Sequence, residues 1–398
     1  MKGRRAAFLL GALALVGSGR ARAADADLAG ALVAALPADG RTDVVLIEQP
    51  SRPGAPRVRA VTRVNAAPAA VRAALLDTAH YGAVIPALVQ AEARPGDGQV
   101  PFVDWELEVP LFNLSGRFAL RAAGDQVRLD LFDGDFSPGH LVFTIRPAAG
   151  GGTTLLVDAT MDMRRSSWIL RRILKQSPFA EPAGVAAAAY VAVRAIALRA
   201  EHPGDSGAWR PSAPPAPPPA WQPDAGEPSA PGLAAARAAG VVAFVARRPD
   251  GRLAGVVAAL GMPSPAPAVE SALRDPRAWR AFPGWRKVDL VPGARGPGAR
   301  VEDNLPLMDF DATWAMAEPP LRWTVVDGAT RGARLGWTVR PDGARAATVA
   351  LSLYPRLEKT GSVARRFLAA EPLLESGLAL AVTFAGIAST RAALGRAP

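Results

Sequence analysis

The sequence predicts an α+β fold built twice. Three observations carry that expectation: an internal repeat, runs of alternating residues closed in each half by a long Ala-rich segment, and a Pro-rich stretch between the halves.

Self-comparison of the 398 residues gives four matches in the same order. Val71, Asp77 and Tyr81 in VRAALLDTAHY have counterparts Val269, Asp275 and Trp279 in VESALRDPRAW, all 198 residues on, with Pro86 and Pro283 close behind. VPLFNL (109–114) matches LPLMDF (305–310) at an offset of 196. LVFTIRP (141–147) matches LGWTVRP (335–341), and Arg171–Leu174 matches Arg365–Leu368, both at 194. So small a drift is what short length changes in turns produce.

Within the first half, Val58–Val64 alternates and reads as the first strand. Ala66, Ala67 and Pro68 place a proline where a helix opens, which predicts a short helix through Leu76. A second helical segment is expected from His80 to Gln90. Alternating runs at Val103–Leu111, Leu114–Arg121, Gln126–Phe132, Leu141–Arg146 and Thr154–Met163, separated by Gly, Asp and Pro, predict an antiparallel meander. A helix from Ser167 to Ala200, broken near Pro178–Pro182, closes the half. In the second half, Pro263 and Pro265 predict a disrupted strand-to-helix junction.

PSAPPAPPPA (211–220) and GEPSAPG (226–232) favour extended polyproline II and bury little, so they read as a spacer. The expected organisation is a leader at 1–23, one domain at 24–203, a linker at 204–232 and a second domain at 233–398. The leader has a basic start (Lys2, Arg4, Arg5), a short apolar run (6–17) and a small-residue cleavage site at Ala21-Arg22-Ala23. That predicts export, with a mature chain beginning at Ala24, in the periplasm or outside the cell. The apolar run is about 12 residues, too short to span a bilayer.

Composition excludes several classes. Hydrophobic residues make up 49% and charged residues 21%, a globular balance. The formal charge is +10, and five of those charges lie in Lys2, Arg4, Arg5, Arg20 and Arg22 of the leader. The remaining arginines are scattered in pairs rather than run together, so no nucleic-acid partner is expected. The absence of Cys rules out disulfides, Cys-ligated metal and thiol catalysis. His80, His140 and His202 show no metal-ligand spacing, so no metal or other cofactor is expected.

The segment from Val64 through Ala66, Pro68, Val71, Leu75 and Asp77 to Tyr81 and Pro86, set after a first strand, resembles the START-like (SRPBCC) superfamily of polyketide cyclases, coenzyme-Q-binding proteins and lipid-transfer domains. The second half keeps Pro267, Val269, Leu273, Asp275 and Pro283, with Trp279 in place of the tyrosine. The resemblance implies two helix-grip domains, each a curved antiparallel sheet around a long C-terminal helix, with an apolar cavity between them. It implies ligand binding and leaves catalysis open.

Alternation sorts the strand faces. The expected ligand-cavity positions are Trp105, Leu107, Phe118, Leu131, Phe143 and Met161 in the first half, and Phe310, Trp314, Trp323 and Trp337 in the second. None of these inward positions is ionisable, so no catalytic residue is assigned. Asp104, Glu106 and Glu108 fall on the outward face. Asp77 and Asp275 read as tethers of a helix turn, His80 as a surface residue and His140 as a turn residue. The expected function is an exported binding or transfer protein for a lipid, polycyclic isoprenoid or quinone, docking transiently on an anionic membrane surface. The alternatives are a cyclase or aromatase on the same fold, and one binding copy beside one structural copy.

Overall fold

The computed structural model describes residues 27–395 except 39, 49–54, 96–100, 110–111, 205–233, 235–238, 283–286, 294–295, 306–307, 319–320, 329, 355 and 357–371. The expected leader, nearly all of the Pro-rich spacer, Pro283 and the Arg365–Leu368 match lie outside the described residues.

In chain order the elements are α1 (27–35), β1 (Thr42–Glu48), β2 (Arg57–Val64), α2 (Pro68–Leu76), a 3-10 turn (Thr78–His80), α3 (Tyr81–Val84), β3 (Leu88–Arg94), β4 (Phe102–Val109), β5 (Phe112–Ala123), β6 (Gln126–Gly134), β7 (Gly139–Pro147), β8 (Thr153–Met161), α4 (Trp168–Gln176) and α5 (Ala180–Glu201). They continue as β9 (Gly240–Arg247), β10 (Leu253–Met262), α6 (Ala266–Arg274), a 3-10 turn (Ala278–Ala281), β11 (Lys287–Val291), β12 (Gly298–Leu305), β13 (Met308–Glu318), β14 (Arg322–Gly328), β15 (Arg334–Pro341), β16 (Ala347–Tyr354) and α7 (Pro372–Leu394).

Among the described residues all sixteen strands belong to one antiparallel sheet, with two eight-stranded arms joined edge to edge through β1 and β9. The expected α+β class is what the structure shows. Strand register carries the repeat further than the motifs do. Val44 pairs with Val61 and Val242 with Ala259, an offset of 198 in both strands. Trp105 faces Gly116 and Val301 faces Ala312, an offset of 196. Phe143 faces Val157 and Trp337 faces Leu351, an offset of 194. At the join Val45 pairs with Ala243, its own counterpart, so a local twofold axis passes between them.

β1 and β9 are apolar on both faces because both faces are covered. Val45 and Ile47 pack in the main core, while Val44, Leu46, Val242 and Phe244 pack with Leu32, Ala35 and Leu36 of the α1 region. Such strands read as unbroken apolar runs rather than alternations. On the other side α5 lies over β1, β2 and β8, α7 lies over β9, β10 and β16, and the two helices pack on each other. A Cβ on Gly377 would sit 2.9 Å from Val191 Cγ2, so the helix pair depends on that glycine. Both helices are apolar and long enough to cross a membrane, and most of each is buried in this packing.

Four expectations need correction. The first strand of the repeat is β1, ahead of Val58–Val64. The helical segment expected to reach Gln90 ends at Val84, and Leu88 opens β3. Pro263 and Pro265 do not disrupt their junction: β10 runs to Met262, and Pro265, extended at φ −60° and ψ 140°, is the residue before α6. His140 lies within β7 rather than in a turn.

Candidate functional site

The inner face of the first arm is apolar from β4 to β8. Trp105, Phe118, Leu131, Phe143 and Met161 are buried there in one cluster with Val185, Ala189, Val193 and Ile196 of α5, and half-buried Leu107 packs against it. The 3-10 turn before α3 closes one side. Tyr81 donates from its hydroxyl to the Leu75 carbonyl at 2.6 Å and stacks on Phe118 with ring centres 6.3 Å apart. Trp105 lies across Gly116, where a Cβ would come within 2.7 Å of the indole, and its ring stacks on Phe136 at 5.4 Å.

The second arm presents the same face with larger rings. Register equates Phe118 with Trp314, Leu129 with Trp323 and Phe143 with Trp337. Trp314, Trp323 and Trp337 are all buried. Phe310 stands in β13, opposite Asp303, and its side chain lies outside the described residues. Trp279 takes the place of Tyr81 and repeats its bond: Nε1 donates to the carbonyl of Leu273, the counterpart of Leu75, at 3.3 Å. Its ring meets Trp323 edge-on at 4.5 Å. The indole N–H groups of Trp105, Trp323 and Trp337 are buried and have no hydrogen-bond partner among the described residues.

A polar group missed at the sequence level sits at the seam between the arms. Asp43 of β1 accepts from Thr62 Oγ1 at 2.6 Å and from Arg247 Nε of β9 at 3.1 Å, and Arg194 Nε of α5 lies 3.8 Å from it. Arg194 also donates to Thr62 at 3.1 Å. Tyr190 is fully enclosed beside this group, and burial pushes its phenol pKa well above the ordinary value. Asp43 and Arg194 are buried; Arg247 hydrogen-bonds the carboxylate and Arg194 reaches it by charge and through Thr62, an arrangement that links β1, β9 and α5. Nothing short of the folded sheet brings them into contact, since Asp43 and Arg247 are 204 residues apart.

The acidic positions take the tethering roles expected of them. Asp77 meets His80 Nδ1 at 2.6 Å and Arg199 Nη2 of α5 at 3.2 Å, and the His80 hydrogen bond holds its carboxyl below the ordinary range. Asp275 accepts from the Arg277 amide at 2.9 Å within its turn. Asp104 lies between Arg94 and Arg117 at 2.7 and 2.8 Å on the outer face. His140 bonds Thr160 at 3.0 Å across β7 and β8, and burial lowers its pKa. Among the described residues no group of three His, Asp or Glu side chains is placed to hold a metal ion.

α4 is the second feature that sequence reading underused. Leu170 and Leu174 pack toward the core, while Trp168, 63% exposed, shares the outer side with Arg171, Arg172 and Lys175. The Ser167 amide at its start donates to Asp135, next to the Phe136 that stacks on Trp105. The basic face therefore stands at the rim of the first arm.

Each half is thus a helix-grip unit, an antiparallel arm with a long C-terminal helix across it, and the chain joins two of them. No family model and no curated protein matches the sequence. Solved structures similar to this chain include START-like and aromatase/cyclase proteins. The di-domain ARO/CYC StfQ of the steffimycin biosynthetic pathway covers 83% of this chain and 98% of its own, at 11% identity and a TM-score of 0.28. A STAR-related lipid transfer protein from Xanthomonas axonopodis covers 42% of this chain and 97% of its own, at 15% identity and 0.29. The Zhui aromatase/cyclase from Streptomyces sp. R1128 covers 36% and 93%, at 12% identity and 0.30.

Proposed function

We propose that the protein is an exported carrier of hydrophobic small molecules, holding its cargo on the apolar inner faces of the two arms beneath α5 and α7. The observation that carries this reading is the continuity of those faces: in the first arm each of β4 to β8 turns apolar side chains inward. Ring closure would require an ionisable group free to exchange protons with the cargo. The ionised groups described on the helix side at the seam, Asp43, Arg194 and Arg247, are engaged with one another, which favours binding over a cyclase. The idea of a degenerate second copy drew on departures in the second half, and one of them, a junction disrupted at Pro263 and Pro265, is absent from the intact β10–α6 connection.

The basic, cleavable start of the sequence supports export with a mature chain from Ala24. Binding works by shielding: hiding roughly 300 Å² of apolar ligand surface contributes about 7 kcal/mol before ordering costs. The outer face of α4 supports transient docking on anionic headgroups, at about 1 kcal/mol per basic side chain near the surface.

The test is native mass spectrometry of the exported full chain after exposure to a total lipid extract. A non-covalent adduct that partitions into organic solvent is expected, and a bare chain under those conditions overturns the carrier reading. For the membrane step, sedimentation with phosphatidylglycerol vesicles should weaken in Arg171→Glu/Arg172→Glu. Equal retention by purely phosphatidylcholine vesicles argues against α4 docking.

A further inference from the structure

We infer that the second arm binds its cargo through a carbonyl oxygen, received by the indole N–H groups of Trp323 and Trp337. The inference rests on the carrier reading and adds the chemistry of the cargo.

The duplication supplies an internal control. At these two positions the first arm uses Leu129 and Phe143, so neither the fold nor its packing requires a hydrogen-bond donor there. Tryptophan adds a polar N–H to an apolar wall, and a buried donor left unmade costs about 1–3 kcal/mol. Trp323 is fully buried and Trp337 is 8% exposed, yet neither N–H has a partner among the described residues. The indole of Trp279, in contact with Trp323, does find a carbonyl, so a nearby ring meets the usual rule for buried donors.

Trp323 and Trp337 also form a pair. Trp323 sits opposite Leu335, and Trp337 follows two residues along on the same face, so the two are diagonal neighbours about 7–8 Å apart at the backbone. Their neighbours on that face are Trp314, Met316, Val325, Leu335 and Leu351, none of them charged. Two donors in such a wall select a neutral molecule with an apolar body and oxygen acceptors, such as a quinone, a ketone or an ester. Trp105 has the same open N–H in the first arm, where the residues facing it across the ladder are Ala91 and Gly116.

The probes are menadione and 2-methylnaphthalene, two-ring molecules that differ by the two carbonyl oxygens of menadione. The chain has no Cys, so menadione has no thiol to alkylate. In ¹H–¹⁵N spectra of the full mature chain, the indole signals of Trp323 and Trp337, assigned through Trp323→Phe and Trp337→Phe, should move downfield with menadione and not with 2-methylnaphthalene. Each variant should weaken menadione about three- to tenfold and leave 2-methylnaphthalene within about twofold. Circular dichroism checks that the variants fold, and Trp337→Phe restores the residue type of the first arm. If both probes bind and the variants weaken them equally, or the two indole signals stay still, the inference fails and the carrier reading stands. If neither probe binds the wild-type chain, the inference fails with no support left for cargo in this arm.

Discussion

The two arms share a register and differ in how they fill it. In the first, Tyr81, Phe118, Leu129 and Phe143 line the inner face, and Trp105 lies at the rim over Gly116. In the second the four inner positions become Trp279, Trp314, Trp323 and Trp337, while the rim pair becomes Val301 and Ala312. Each of these four changes enlarges a ring or creates one, two of them introduce an N–H with no partner among the described residues, and beside them Leu131 becomes the smaller Val325. Selectivity in such a pair follows from side-chain volume and polar placement rather than from topology.

The comparison breaks most completely at the seam. Asp43 corresponds to Val241, and Asp43→Val would make β1 resemble β9 there. It would also leave Arg194 and Arg247 buried without their carboxylate, at a cost of about 3–5 kcal/mol. Urea unfolding should show that loss, and replacing Arg194 and Arg247 by leucine as well should recover much of it. A single variant as stable as the parent would mean that the seam is held by packing alone.

The rim pair gives a smaller effect with a sharper reading. Gly116→Ala places a methyl 2.7 Å from the Trp105 ring and 2.5 Å from the Asp133 carbonyl, an overpacking that costs about 1–3 kcal/mol. Adding Trp105→Val recreates the pair of the second arm and should recover about 1 kcal/mol, the coupling expected of residues in contact. Strictly additive losses would show that the two positions changed independently between the arms.

Much of the fold was legible because its signals are local. Alternation placed β4 to β8 within a few residues, and the motif from Val71 to Tyr81 located its counterpart 198 residues on. The expected cavity residues whose side chains are described all lie on the inner, core-facing side. β1 and β9 escaped because central strands covered on both faces lose their alternation. The Asp43–Arg194–Arg247 group escaped because its members meet only through β1–β9 pairing, which no short-range pattern encodes. The open indoles were hidden for a similar reason, since whether a tryptophan finds an acceptor depends on backbone geometry, as the contrast of Trp279 with Trp323 shows.

Tyr81 and Trp279 donate to the same carbonyl position, but only the phenol titrates. Tyr81→Phe leaves the Leu75 carbonyl without its donor and should cost about 1–2 kcal/mol near neutrality. Burial raises the phenol pKa in the folded chain, so this group's contribution is intact below its unfolded value of about 10 and falls as pH rises beyond it. Stability measured against pH in that alkaline range should decline less steeply for Tyr81→Phe than for the parent, by about 1.4 kcal/mol per pH unit. Parallel slopes would place the ionising phenol elsewhere.

The smallest effect separates the two aspartates that follow α2 and α6. Asp77 is tied to His80 and Arg199, whereas the counterpart of His80 is Ala278, so His80→Ala converts the first turn toward the second. The His80 hydrogen bond is the leading cause of the lowered Asp77 pKa. A depressed carboxylate pKa contributes stability above the unfolded value of about 3.9, and that contribution disappears as pH falls through the folded value. Both side chains are partly exposed, at 59% for His80 and 33% for Asp77, so solvent screening holds the loss in His80→Ala to about 0.5 kcal/mol or less. That loss should be present at mildly acidic pH and vanish once Asp77 is protonated in both variant and parent. A difference that persists unchanged into strong acid would assign the effect of His80 to packing at the 3-10 turn, and the two turns would then differ by shape rather than by charge.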